Sequence, residues 1–60
     1  MTSNEIYEQI QVLWEDFRAN HADFHHKGNK TAGTRARKSL GELKKLVTEY
    51  RKASVEESKQ

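Results

Sequence analysis

Apolar residues recur along the first part of the chain in alternating steps of four and three. Ile6, Ile10, Leu13, Phe17 and Phe24 occupy the stripe, and Asn20 fills its one polar slot. That step is the mark of an amphipathic α-helix with one buried face. Thr2, Ser3 or Asn4 can cap its start, and Thr2 with Glu5 fits a capping box. The pattern predicts helix 1 over about residues 3–26. Lys27-Gly28-Asn29 is the one clear break. Gly28 suits the left-handed position that follows a helix, and Asn29 or Thr31 can cap the next one. Ala36, Leu40, Leu43, Val47, Tyr50 and Ser54 then resume the same step. They predict helix 2 over about residues 30–58, after a turn at 27–30.

The two stripes match if the chain folds back at Gly28–Asn29. Ile6 then faces Tyr50, Ile10 faces Val47, Leu13 faces Leu43, Phe17 faces Leu40, and Phe24 faces Gly33. One register satisfies all of these pairs, which predicts an all-α fold, an antiparallel two-helix hairpin forming a single domain over residues 1–60. Such a hairpin buries one narrow seam. Tyr7 and Trp14 on helix 1, and Leu46 and Ala53 on helix 2, flank it and stay partly wet. These four residues are the predicted dimer interface, through which a second hairpin would complete a four-helix bundle. Gly33 lies on the seam, where it lets Phe24 pack closely. Gly41 falls on the polar side, with no packing reason for it.

Length sharpens the expectation of self-association. A chain of 60 residues buries only about 60% of its unfolded surface. Small domains of this kind lean on disulfides, a metal or oligomerisation. Cysteine is absent, which removes the first support. No apolar run approaches the ~20 residues of a membrane span, and no signal peptide is visible. The chain reads as intracellular and soluble.

Charge changes the picture more. The net value is only +2, but the two arms differ. Residues 1–26 carry Glu5, Glu8, Glu15, Asp16 and Asp23 against Arg18, a net −4. Residues 27–60 carry ten Lys or Arg against Glu42, Glu49, Glu56 and Glu57, a net +6. Such segregation suits attraction between the arms, or a basic arm for nucleic acid or anionic lipid. On helix 2, Lys30, Arg37, Lys44 and Arg51 recur every seven residues, and Lys38, Lys45, Lys52 and Lys59 form an adjacent line. The second line has acids one turn on, at Glu42, Glu49 and Glu56. The first meets Gly41, Thr48 and Val55 at the equivalent positions. Its charges need a partner from the other helix or from an external polyanion.

The segment 28–38 is the strongest candidate site. No acid occurs between Asp23 and Glu42, and Lys27, Lys30, Arg35, Arg37 and Lys38 gather around a helix N-terminus. Free backbone N–H groups and the positive end of the helix dipole favour anions there. Thr31 and Thr34 offer hydroxyls to phosphate oxygens. The predicted DNA-binding set is therefore Lys27, Lys30, Thr34, Arg35, Arg37 and Lys38, extended by Lys44 and Arg51. The bland alternative is a solvated turn balanced by Asp16 and Asp23.

Other candidates are weaker. His21 and His25 have chelating spacing, with His26 and Asp23 nearby, but histidines beside an exposed turn are ordinarily solvated, so no metal is expected. Trp14 borders the seam and reads as a core or interface residue in preference to a nucleic-acid stacking one. There is no nucleophile–base set, no phosphate-binding glycine loop and no pocketed carboxylate pair. Neither an enzyme, a cofactor nor a small-molecule substrate is expected.

Read as a unit, residues 28–59 resemble the bacterial linker-histone-like proteins first known from chlamydiae. The resemblance rests on Gly28-Asn29-Lys30, on Ala32-Gly33-Thr34-Arg35-Ala36-Arg37-Lys38, on the Leu40–Leu46 stretch, and on Tyr50-Arg51-Lys52-Ala53-Ser54. It covers helix 2, while helix 1 matches only in its amphipathic pattern. It implies a cytoplasmic protein of the bacterial nucleoid that binds double-stranded DNA without sequence preference, self-associates as a homodimer, and has no membrane partner. Chlamydial members carry a long lysine- and alanine-rich tail held to do much of the DNA binding, and this sequence stops at Gln60 without one. Either the helical unit binds DNA through its own basic strip, or it is an oligomerisation or protein-interaction module without DNA binding.

Overall fold

The computed structural model describes residues 1–59, so Gln60, the last residue of the predicted domain, lies outside the described residues. Two helices follow one another, α1 (Ser3–Lys27) and α2 (Lys30–Ser58). They pack antiparallel into a rod with Cα extents of 48 × 14 × 13 Å. Among the described residues there is no strand.

Local chemistry sets both ends of each helix. Thr2 accepts a hydrogen bond from the Glu5 N–H at 3.2 Å, and the Glu5 carboxylate accepts from the Thr2 N–H at 3.1 Å. This closes the capping box and satisfies donors that have no partner inside the helix. Gly28 adopts φ 67°, and its N–H donates to the Phe24 carbonyl at 3.1 Å. The Asn29 N–H reaches back to the Asp23 carbonyl at 3.4 Å. The left-handed glycine thus ends α1 and reverses the chain at little steric cost. The Asn29 side chain then accepts from the Ala32 N–H at 3.2 Å and starts α2.

Packing is closest near the turn. Ala32, Gly33, Ala36 and Ser39 are buried on α2. The Phe24 ring lies directly over Gly33: a Cβ built there would sit 2.7 Å from Phe24 Cδ1. That contact agrees with the predicted register. Ser39 is buried and donates its hydroxyl to Asp16 at 2.6 Å. At the open end Ile6 is 2% exposed. Ser3 there donates both its N–H and its hydroxyl to Glu57, at 2.7 and 2.6 Å.

The rotation of α2 differs from the sequence expectation. Leu40, Val47 and Tyr50 were expected on the seam, yet they are 47%, 52% and 41% exposed. Ser39 takes the place beside Leu40. Leu46 and Ala53, expected as outer flanks and dimer-interface residues, are half-buried, and Ala53 shares a groove with Ile6. Small residues at Ala32, Ala36 and Ser39 admit a close approach that leucines would hold apart. The Ser39–Asp16 hydrogen bond locks that rotation. Gly41 is exposed with nothing near its missing Cβ, and we have no packing account of it.

Candidate nucleic-acid interface

The hairpin has two faces of opposite character. Asp16 reaches Ser39 across one of them, and Thr2, Glu49, Lys52 and Glu56 line a common groove there. Seven-residue spacing adds Gln9 and Asp23 from α1, and Arg35 and Glu42 from α2. This face is lined by acids. The opposite face carries Tyr7, Trp14 and His21 from α1, with Leu40 and Val47 from α2. Its edges are Asn4, Gln11, Arg18 and His25 on one helix, and Arg37, Lys44 and Arg51 on the other. None of these edge positions holds an acid.

The predicted basic set is divided between the faces. Lys30 lies at the turn and is exposed. Arg37, Lys44 and Arg51 border the acid-free face. Arg35 heads the line that continues through Glu42, Glu49 and Glu56, so it lies on the acid-lined side, and Lys38 lies outside that line. Lys27 pairs with Asp23 at 3.6 Å. Both partners are well exposed, so the pair is weak and leaves Lys27 available. The Thr34 hydroxyl donates to the Lys30 carbonyl at 3.3 Å and accepts from Arg37 Nη2 at 3.2 Å. Thr34, a member of the predicted set, therefore also positions the Arg37 guanidinium.

Few of these cations are neutralised. Ion pairs among the described residues are Lys27–Asp23, Arg18–Glu15 at 2.6 Å and Lys59–Glu56 at 3.8 Å. The acids one turn beyond Lys38, Lys45 and Lys52 do not close on them. The hydrogen bond and charge of Glu15 hold the Arg18 guanidinium above its ordinary pKa. The first turn of α2 holds no acid. The cation lines are thus exposed and largely unpaired among the described residues.

Tyr7 and Trp14 stay partly wet, as their place beside the seam predicts. Trp14 and Tyr7 are each 50% exposed, and Trp14 begins an aromatic ladder. Its ring lies 5.8 Å from Phe17, Phe17 lies 6.0 Å from His21, and His21 lies 5.9 Å from His25, the last two pairs stacked. His26 meets His25 edge-on at 5.1 Å. Among the described residues no group of three or more metal-ligating side chains comes together. The signal that points to this face is the acid-free line Asn4, Gln11, Arg18, His25.

Residues 4–60 match the family described as histone H1-like protein Hc1. The chain belongs to the Hc1 family. That membership covers both helices, including the α1 residues whose resemblance rested on pattern alone. Hc1-type proteins are histone-like, DNA-binding proteins of the nucleoid, a structural and non-enzymatic class. No curated protein and no solved structure matches the chain. Among the described residues no helix is long and apolar enough to cross a membrane.

Proposed function

We propose that this protein binds double-stranded DNA without sequence preference, through phosphate contacts. The observation that carries this reading is the run from Lys27 to Lys38, which places exposed cations around an acid-free helix N-terminus in a member of a histone-like family. Lys27, Lys30, Arg35, Arg37 and Lys38 supply the contacts, Thr34 orients Arg37, and Lys44 and Arg51 extend the track. Lysines and single arginines on helix surfaces meet phosphates as charges, and nothing here is arranged for bidentate base readout.

Four or five such contacts give a log–log salt slope of about −4 and a Kd of about 10⁻⁴–10⁻⁶ M at physiological salt. The test is a titration of labelled duplex at two salt concentrations. Replacing Arg35 and Arg37 together by alanine should flatten the slope by about two while circular dichroism stays helical. Absence of duplex binding even at low salt would defeat the reading.

A second reading is a self-associating helical module. It is favoured by the exposure of Tyr7, Trp14, Leu40 and Val47, which a second hairpin would cover to form a homodimer. Leu46 and Ala53 contribute less to that surface, since the hairpin seam already half-buries them. Sedimentation over a range of concentrations, without DNA, tests this reading directly.

A further inference from the structure

We infer that His21 and His25 form a two-imidazole chelate for a divalent late first-row transition metal (nickel, copper or zinc) near the C-terminal end of α1. The site uses none of the cations that the DNA reading uses, and it does not depend on that reading.

The helix supplies the geometry. Residues four apart share one face of an α-helix, one turn apart, with a rise of about 6 Å. α1 runs unbroken from Ser3 to Lys27, so both histidine backbones are fixed on one element. The His21 and His25 rings lie 5.9 Å apart and 13° from parallel. They are thus stacked one above the other along the face they share. Phe17 continues the row on the other side of His21, at 6.0 Å and 22°. Both histidines are exposed. None of the side-chain hydrogen bonds among the described residues uses either ring, and neither ring pairs with an acid. Their ring nitrogens are therefore available to a metal.

The separation suits a shared ion. A metal such as zinc holds an imidazole nitrogen at about 2.0–2.1 Å, so two nitrogens on one ion stand about 3 Å apart. The rings reach that by turning their edges toward each other about the last side-chain torsion, which is broad for histidine. The helix backbone does not have to move.

The neighbours set the coordination number. His26 meets His25 edge-on, at 5.1 Å and 75°, and its position is turned about 100° off the shared face. Asp23, two residues from each histidine, lies on the opposite side of the helix and pairs with Lys27 at 3.6 Å. No third ligand among the described residues joins the pair. A structural zinc site closes on four protein ligands. This one supplies two and leaves the remaining positions to water, so the metal it takes is exchangeable. Imidazole suits nickel, copper and zinc, whereas magnesium and calcium want oxygen ligands. A metal held by both rings ties two successive turns of α1 together and stabilises the folded hairpin.

The experiment titrates the untagged chain with Ni²⁺ and with Zn²⁺, by calorimetry and by thermal melting. One metal should bind per chain, and Tm should climb with metal concentration. Mg²⁺ at the same concentrations should leave Tm unchanged. His21→Asn and His25→Asn should each weaken Ni²⁺ binding by at least about tenfold, the least that loss of even a supporting group costs at a metal site, and remove the rise in Tm. His26→Asn should keep both. Circular dichroism before metal is added checks that each variant is still helical. The ring resonances of His21 and His25 should move with Zn²⁺ while those of His26 stay, a readout that needs no variant. Metal binding by His21→Asn and His25→Asn as tight as the parent's, or an equal loss from His26→Asn, would overturn the inference. One metal per two chains, with metal-dependent dimerisation in sedimentation, would put the ion between copies and overturn it as well. Failure of metal binding leaves the DNA reading standing, and failure of DNA binding leaves this site standing.

Discussion

The turn end and the open end of this hairpin are held by different means. Near the turn, Ala32, Gly33, Ala36 and Ser39 are buried. They are small, and the Phe24 ring occupies the space that a side chain at position 33 would need. Beyond Ser39, α2 has no buried residue. Leu43, Leu46, Ala53 and Ser54 are only half covered, and Ile6 alone anchors the open end from α1. A polar clamp from Ser3 to Glu57 finishes that end. Small residues therefore make a tight seam where the chain connection already brings the helices together. Larger apolar residues farther out outnumber the places on one seam, and the surplus lies on the aromatic face.

The largest expected effect comes from the open end. Ile6→Ala removes the one large, fully buried side chain there. Truncations of this type cost about 2–5 kcal/mol, a large share of the stability a hairpin this small can have. Thermal melting followed by circular dichroism should show a marked fall in Tm. Amide exchange should rise first over residues 45–58, ahead of residues 32–39. Equal acceleration at both ends would mean that the two halves form one cooperative unit.

Gly33→Val attacks the turn end. The new side chain meets the Phe24 ring, which must leave its place. Overpacking of this kind costs about 1–3 kcal/mol, partly offset because glycine is itself a poor helix former. Faster exchange should appear first around residues 24–36. A gain in Tm would show that the Phe24–Gly33 contact contributes little.

The smallest effect is that of pH on the open end. Hydrogen bonds from the Ser3 hydroxyl and N–H hold the Glu57 carboxyl below its ordinary pKa. The Thr2 N–H and hydroxyl do the same for Glu5. A carboxyl with a lowered folded pKa contributes fully above its unfolded value, about 4.3, and loses that contribution as pH falls through the folded value. Mild acid should therefore fray residues 3–6 and 54–58 while the turn end stays closed. Both groups are solvent-exposed, so the change in Tm should be small. Ser3→Ala removes the hydroxyl donor and should reduce the Glu57 part of it, leaving the share due to the N–H.

What the sequence determined by itself is what short-range chemistry determines. The capping box at Thr2–Glu5, the left-handed Gly28, the Asn29 cap and the apolar step of α1 each depend on residues within one turn of one another. The position of the turn then sets the axial register, which is why the Phe24–Gly33 pairing was readable. The exposed cations of residues 27–38 were readable too, because a charge run without acids needs no partner helix to be recognised. The rotation of α2 about its own axis was not readable. Leu40, Leu43, Leu46, Val47 and Tyr50 cover so wide an arc that two adjacent stripes are almost equally apolar. Only packing chose between them, through the close approach at Ala32, Ala36 and Ser39 and the hydrogen bond from Ser39 to Asp16. That choice of about one residue in rotation put Leu40 and Val47 beside Trp14. It also set Glu42, Glu49 and Glu56 on the face opposite Trp14. Which residues share a face across two helices is a property of their contact, and no spacing along one chain contains it.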